Sequence, residues 1–277
     1  MRRRLVSLVD AAWRAPKTFL TVMAGLAALA ISGLVFLGAS EDVIRRNGAA
    51  TLDAARLDWV TDHRSHPLIA VAKFLNAAGS VGVVAALALA LGLLLWRRGL
   101  PLVVAGTPLV AVVAAEGAAA FLKVLVDRAR PASALRLVTE TDPSFPSGHA
   151  TAAMAFGIGV AAVLIIFVLR SPWSRLVALT LGVLLPTLIG ASRLELGVHW
   201  PTDVVAGLAL GASVALVISG MAAWLVANEP GSSSSKHGQT AALRSRAGVV
   251  LRRHRESGRL LVAPQDDFNA TLSVSAP

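Results

Sequence analysis

Long apolar runs, separated by short polar segments, make up most of the chain before residue 229. A membrane-spanning helix needs about 20 mostly apolar residues. Six runs reach or approach that length, and none of them alternates apolar and polar positions as a half-buried strand does. The pattern predicts an all-α, polytopic membrane protein with six transmembrane helices in a bundle. The predicted spans are residues 19–39, 68–96, 100–126, 150–169, 176–191 and 204–226.

The first run follows a basic segment and ends near small residues, which is also the pattern of a cleaved signal peptide. Its apolar stretch is longer than the roughly 7–15 residues of a signal-peptide core. Further apolar runs follow it, so we expect an uncleaved first transmembrane helix.

Residues 51–64 have a different pattern from the long runs. Apolar side chains recur there at helical spacing, at Leu52, Ala55, Trp59 and Val60. Charged residues lie between them. This pattern predicts a short amphipathic helix on the outer membrane interface. An ordinary polar loop is the alternative, because periodicity over so short a window is weak.

The composition changes at about Glu229, where a serine-rich stretch is followed by a cluster of arginines. Such a composition is typical of disorder. We therefore divide the chain into a six-helix membrane domain, residues 1–228, and a disordered cytoplasmic tail, residues 229–277. The basic cluster of the tail either contacts anionic lipids or only reinforces the membrane topology.

Composition and charge agree with a membrane protein. The chain has 277 residues, of which 55% are hydrophobic and 15% charged, whereas soluble domains carry about 25% charged residues. Its net charge of +10 comes from clusters beside the apolar runs and in the tail, so we expect the membrane as a partner and no nucleic acid. The absence of cysteine excludes disulfides, thiolate metal sites and a cysteine nucleophile.

The positions of lysine and arginine predict the topology. They concentrate near residues 2–17, 97–98 and 170–175, which places these segments and both termini in the cytoplasm. The six tryptophans lie at or near run ends, where indoles prefer the interface. We expect an integral protein of the plasma (inner) membrane. Its predicted extracytoplasmic segments are residues 40–67, 127–149 and 192–203.

Ionisable residues collect at three places next to the predicted spans, all on the extracytoplasmic side. The first holds Lys123, Arg130 and Pro131. Seven residues are nearly two helical turns, so Lys123 and Arg130 can face one point if the helix persists that far. Two cations aimed at one point indicate an anion such as phosphate. Snorkelling of both side chains to the interface is the alternative.

The second place is the sequence Pro-Ser-Gly-His at residues 146–149, directly before the fourth span. A helix N-terminus with small residues is a ready anion site, and Gly148 allows close backbone approach. Ser147 adds a hydroxyl donor, and His149 can exchange a proton near neutral pH. A simple helix cap at Ser147 is the alternative.

The third place holds Ser192 and Arg193, followed by His199 and Asp203. The last two residues are four apart and can meet on one helical face. A carboxylate that orients one imidazole nitrogen leaves the other nitrogen free to act as nucleophile or base. Arg193 adds a cation whose fork suits phosphate oxygens. A structural His–Asp pair is the alternative.

In order, these motifs are K-x6-RP, PSGH and SR-x5-H-x3-D. Together they resemble the type 2 phosphatidic acid phosphatase superfamily, in its bacterial membrane branch. The resemblance covers about residues 50–225 and implies that His199 is the nucleophile, Asp203 orients it and His149 is the general acid and base. It further implies that the phosphoryl oxygens are held by Lys123, Arg130, Ser147, Gly148 and Arg193.

We expect no metal and no other cofactor, because three fixed cations replace a metal and the motifs lack an open metal-binding cluster. Vanadate, as a mimic of the transition state, should inhibit. The expected substrate is a lipid phosphate or diphosphate, of polyprenyl diphosphate or phosphatidic acid type. A phosphotransferase with the same histidine chemistry and a non-enzymatic membrane protein are the alternatives.

Three polar residues in the spans have no place in the motifs. Glu116 lies seven residues before Lys123, and an intramembrane acid is a candidate functional residue. It can pair with Lys123, line the pocket or contact another helix. Lys73 and Asn76 are likewise unassigned, and a position at the outer interface is the alternative to a functional role.

Overall fold

The computed structural model describes residues 2–228, with side chains from residue 20 onward. Within this range the elements are helical and no strand occurs, which confirms the all-α prediction. The predicted disordered tail, residues 229–277, lies outside the described residues.

Nine α-helices follow one another along the described chain. They are α1 (Arg2–Arg45), α2 (Asp53–Asp62), α3 (His66–Ala78), α4 (Val81–Arg97), α5 (Leu102–Ala105), α6 (Thr107–Val126), α7 (Gly148–Val163), α8 (Pro172–Glu195) and α9 (Pro201–Ala227). Short 3-10 turns occupy Gly48–Leu52 and Ser133–Leu135, and a π-helical turn, Leu164–Val168, continues α7.

Five helices are long and apolar enough to cross a membrane: Leu20–Arg45 of α1, α6, α7 with its π-helical turn, α8 and α9. The second predicted span is broken, because α3 and α4 meet at an angle of 54° and qualify only together. Counting that bent pair as one span gives the predicted six. The third predicted span also starts with a break, since Gly106 separates α5 from α6.

The break between α3 and α4 lets α3 pack closely on α8. A Cβ on Gly79 would lie 2.4 Å from Cγ2 of Ile189, so only glycine allows this approach. Ser80, which follows, has an extended backbone with ψ of 143°. The apolar pattern continues through the bend, so periodicity alone does not reveal it.

Residues 53–62 form the helix predicted from the amphipathic pattern, and the polar-loop alternative is wrong. The pattern did not single out the face of this helix that packs on the protein. Leu57 and Asp53 are buried, whereas Leu52 and Trp59 are exposed. The apolar side of α2 therefore points away from the protein, and a carboxylate points into it.

Helix α7 is the centre of the bundle. Eleven of its sixteen residues are buried, most of them alanine or glycine, and it contacts α4, α6, α8 and α9. Small side chains let backbones approach closely, which stabilises helix pairs in a membrane. Gly207 and Gly211 of α9, four residues apart, contact α7, and added Cβ atoms would lie 2.6 Å from the Ser147 carbonyl oxygen and 2.4 Å from that of Thr151.

Replacing Gly211 with alanine is expected to lower the melting temperature of the protein in detergent. The added Cβ would meet backbone atoms that cannot move away without shifting a helix, and overpacking of this kind costs about 1–3 kcal/mol. Gly220→Ala in the same helix is the matched control, because nothing lies within 4 Å of its Cβ position. Equal melting temperatures for the two variants would contradict the close α7–α9 contact.

Candidate active site

The three motifs predicted from the sequence meet at one end of the bundle, where α6 and α8 end and α7 and α9 begin. Direct contacts join them. Arg130 Nη1 lies 3.1 Å from His199 Nε2, and the Ser147 amide donates to the Asp203 carbonyl oxygen at 3.0 Å. Residues far apart in the chain thus form one site.

Lys123 and Arg130 converge through a loop and not along a helix. Helix α6 ends at Val126, and Asp127 turns the chain with a left-handed φ of 45°. Both cations nevertheless bind one carboxylate, that of Asp142: Lys123 Nζ lies 2.9 Å from Oδ2 and Arg130 Nη2 lies 2.7 Å from Oδ1. The helical route to convergence is therefore wrong, although the two cations do meet.

Ser147 is the N-cap residue of α7 by position, but its hydroxyl makes no capping hydrogen bond. The hydroxyl oxygen is buried and has no hydrogen-bond partner within the described chain. Gly148 and His149 form the first turn of α7, so the free amides of this turn face the site. The imidazole of His149 lies against the backbone of Asn76 at the end of α3.

His199 lies between α8 and α9 and is buried. Gly197 produces the turn that leads to it, with a φ of 69° and no room for a side chain, since a Cβ would lie 2.2 Å from the Leu135 carbonyl oxygen. His199 Nδ1 is 3.4 Å from Asp203 Oδ2, somewhat longer than an ordinary hydrogen bond. The same carboxylate oxygen accepts the Trp200 amide at 2.9 Å.

The guanidinium of Arg193 is completely buried at the end of α8. Its two terminal nitrogens donate to Asn76 Oδ1 and to Glu140 Oε1. Asn76, which the sequence left unassigned, thus contacts a predicted site residue, whereas Lys73 is exposed.

Two acids from the loop between α6 and α7 neutralise the predicted phosphate-binding cations. Glu140 pairs with Arg193 and lies 3.8 Å from Arg130, while Asp142 pairs with Lys123 and Arg130. Burial alone would raise the pKa of Asp142, but Lys123 and Arg130 outweigh it and hold that pKa at about 2. The pKa of Glu140 is also lowered, against the effect of burial, chiefly by Arg193. Both loop acids are therefore ionised at neutral pH.

Burial lowers the pKa of His199 below its ordinary range, because the charged imidazolium loses its hydration. Asp203 opposes this effect, and the charges of Arg130 and Arg193 reinforce it. The imidazole is thus neutral near pH 7. With Nδ1 facing a carboxylate, Nε2 faces the cations and can act as a nucleophile or base.

Sequence patterns did not reveal Asn76, Glu140, Asp142, Arg128 and Asp53 as contributors to this end of the bundle. Three of them lie in or near segments that the sequence analysis identified: Asp142 precedes the second motif, Arg128 lies inside the first, and Asp53 lies in the amphipathic segment.

Glu116 lies beside Gly148. Its carboxylate oxygen is 3.4 Å from the position that a Cβ on Gly148 would occupy. No group of three His, Asp or Glu residues suited to a metal ion occurs within the described residues.

Residues 104–227 match the family model described as the PAP2 superfamily. A decaprenylphosphoryl-5-phosphoribose phosphatase from Mycobacterium tuberculosis is 39% identical over 107 residues, which are 38% of this chain and 53% of that protein. Phosphatidylglycerophosphatase B from Bacillus subtilis is 36% identical over 104 residues, which are 36% of this chain and 48% of that protein. The chain thus spans about half the length of these curated relatives.

The fold is also similar to a solved structure, a transmembrane PAP2 type phosphatidylglycerolphosphate phosphatase from Bacillus subtilis. The TM-score is 0.62 at 22% sequence identity, and the match covers 71% of this chain and 94% of the other. This likeness concerns the fold alone. The match of residues 104–227 to the PAP2 superfamily model confirms the resemblance inferred from the three motifs.

Proposed function

We propose that this membrane protein is a metal-independent phosphatase that hydrolyses the phosphate monoester or diphosphate of a lipid through a phosphohistidine on His199. One observation carries the proposal. The buried imidazole of His199 faces a carboxylate with Nδ1 and a cluster of cations with Nε2, which lies 3.1 Å from Arg130 Nη1. A phosphoryl group bound by those cations would lie next to Nε2.

The proposed reaction has two steps. Nε2 of His199 attacks phosphorus, the bond from phosphorus to the leaving oxygen breaks, and protonated His149 gives its proton to that oxygen. Water then attacks the phosphohistidine while His149 accepts a proton from it, and the P–N bond breaks to release phosphate. Asp203 orients His199 and stabilises its positive charge during both steps.

Five groups are proposed to hold the phosphoryl oxygens. Donors already in place stabilise the charge of the transition state without reorganisation. The proposed donors are Lys123, Arg130, Arg193, the Ser147 hydroxyl and the Gly148 amide. Glu140 and Asp142 pair with these three cations in the structure, and we propose that substrate oxygens replace their carboxylates.

Two observations support a lipid substrate. The two curated relatives are named as phosphatases of a decaprenylphosphoryl sugar phosphate and of phosphatidylglycerophosphate. In addition, a cavity of about 790 Å³ lies between α1 and α6, with walls that include Phe36, Leu122 and Leu125. Trp200, the neighbour of His199, also lines this cavity. We propose that the hydrocarbon chain of the substrate occupies it.

The proposed location is the plasma membrane, with both termini in the cytoplasm and the site on the extracytoplasmic face. The clusters of lysine and arginine near residues 2–17, 97–98 and 170–175 support this orientation. They lie at the opposite ends of the spans from the three motifs.

His199→Ala should reduce phosphate release at least about a thousandfold, because it removes the nucleophile. The measurement is phosphate release by purified protein in detergent with EDTA, from polyprenyl diphosphate and phosphatidic acid in parallel. His66→Ala, at an exposed histidine, is the control and should retain wild-type activity. Loss of wild-type activity in EDTA would contradict the metal-free mechanism, and release only with an added acceptor would indicate a phosphotransferase.

The pH dependence follows from the lowered pKa of His199. An imidazole with an ordinary pKa of about 6.5 loses most of its nucleophilic form as the pH falls to about 6. Since burial keeps His199 neutral to lower pH, kcat/KM should not fall between about pH 7 and about pH 6, and an acidic limb due to His199 should appear only below that range. The profile is corrected for the separately measured ionisation of the substrate. An acidic limb centred at or above about 6.5 would contradict this prediction.

Glu140→Gln should strengthen inhibition by vanadate about tenfold. The variant removes the carboxylate that competes for Arg193, and a hydrogen bond between charged groups is worth about 1.5–3 kcal/mol. Without vanadate its melting temperature should fall, because Arg193 stays buried without its counterion, and vanadate should restore it. Glu41→Gln, at an exposed acid on α1, is the control. Unchanged or weaker vanadate inhibition in the Glu140 variant would show that Glu140 does not compete for the phosphate site.

A further inference from the structure

Arg128 lies inside the first motif, but the proposed mechanism does not use it. Its side chain is mostly buried and contacts two carboxylates. Nη1 donates to Asp203 Oδ1 at 2.5 Å, and Nη2 donates to Asp53 Oδ2 at 2.7 Å. Arg128 therefore connects helix α2 to the acid that faces His199.

Asp53 holds the other end of this contact. It is only 2% exposed and comes from α2, which is separate from all three motifs. Its Oδ1 accepts the Thr202 amide at 3.0 Å, and its Oδ2 accepts the Thr202 hydroxyl. Arg128 Nη1 also donates to that hydroxyl at 2.7 Å. Asp53 is thus anchored on the first turn of α9, where the helix dipole favours a negative charge.

These contacts restrict the carboxylate of Asp203. Arg128 occupies Oδ1, so Oδ2 is the oxygen that faces His199 Nδ1 and accepts the Trp200 amide. Without the bond to Oδ1 the carboxylate plane could rotate, and a catalytic imidazole is only as well oriented as its carboxylate partner.

We propose that Asp53 and Arg128 are positioning residues, which fix the Asp203 carboxylate and thereby set the orientation and basicity of His199. The proposal rests on the proposed function, in which His199 is the nucleophile. It assigns a role to α2: this helix supplies a buried acid that holds the arginine in place.

The charges around His199 determine the direction of the expected effect. It faces Asp203 on α9, Arg130 after α6, Arg193 on α8 and His149 on α7, and Glu140 neutralises Arg193. Arg128 adds a positive charge on the far side of Asp203. Without Arg128, the negative charge of Asp203 is less offset by a neighbouring cation. It then stabilises the protonated form of His199 more strongly, so the pKa of His199 should rise.

The test uses the full chain in detergent, with phosphatidic acid and polyprenyl diphosphate as substrates. Arg128→Gln and Asp53→Asn should each lower kcat about 10–100-fold, the usual effect of losing a residue that orients a catalytic group, with KM changed less than kcat. In Arg128→Gln the acidic limb of kcat/KM should also move to higher pH. Arg128→Lys should restore the limb but only part of kcat, because lysine lacks the fork that bridges two acids.

Matched controls lie on the exposed side of α2. Arg56→Gln and Asp58→Asn remove the same charges from that helix without touching the site and should behave as wild type. Size-exclusion profiles and melting temperatures identify variants that fail to fold. Any such variant is replaced by Thr202→Val, which removes one hydroxyl from the same set of contacts. Wild-type kcat and an unshifted limb in folded Arg128→Gln and Asp53→Asn would overturn the proposal.

A second readout does not depend on turnover. In protein labelled with 15N-histidine, the His199 resonance is identified by its absence from His199→Gln, and its pKa is read by titration. Arg128→Gln should raise that pKa. If wild-type protein releases no phosphate, the proposed function fails, while an unchanged His199 pKa in Arg128→Gln overturns the positioning role.

Discussion

Charged groups buried at the end of an apolar bundle must be paired, because an ion removed from water loses several kcal/mol of hydration. Arg193 and Asp203 are completely buried here, and Asp53 nearly so. Each of them contacts an opposite charge from another element of the fold. These pairings draw α2, α8, α9 and the loop after α6 to one point. The geometry of the site is therefore largely a consequence of charge neutralisation.

The helical scaffold makes such pairing possible by bringing backbones close together. Helix α7 consists mostly of small residues, so α8 and α9 approach it at backbone distance; a Cβ on Gly157 would lie 2.2 Å from the Gly182 carbonyl oxygen. Close packing fixes the helix ends, from which the functional side chains project. At Gly197, the positive φ turns the chain sharply and brings His199 back over Asp203.

The requirement that buried charges be paired also applies to the proposed reaction. Lys123, Arg130 and Arg193 need negative partners whether or not a substrate is bound. Glu140 and Asp142 supply them in the structure. A phosphoryl group would then exchange one set of ion pairs for another. The free energy of substrate binding is then the difference between these two sets of ion pairs. Only interactions that are stronger in the transition state than in the bound substrate would accelerate the reaction.

The sequence by itself determined the all-α membrane architecture, the approximate spans and the three motifs that meet in space, and it favoured a helix in the segment that contains residues 53–62. These features depend on hydrophobicity over about 20 residues or on spacing within one or two helical turns. The tertiary structure decided the break at Gly79, the inward-facing Asp53, the loop route by which Lys123 and Arg130 converge, and the partners of the buried charges Arg193, Asp203 and Asp53. The Asp53 contacts with Arg128 and Thr202 join residues 75 and 149 positions apart. Local periodicity contains no information about such pairings, because they arise only when packed helices bring distant charges together out of water.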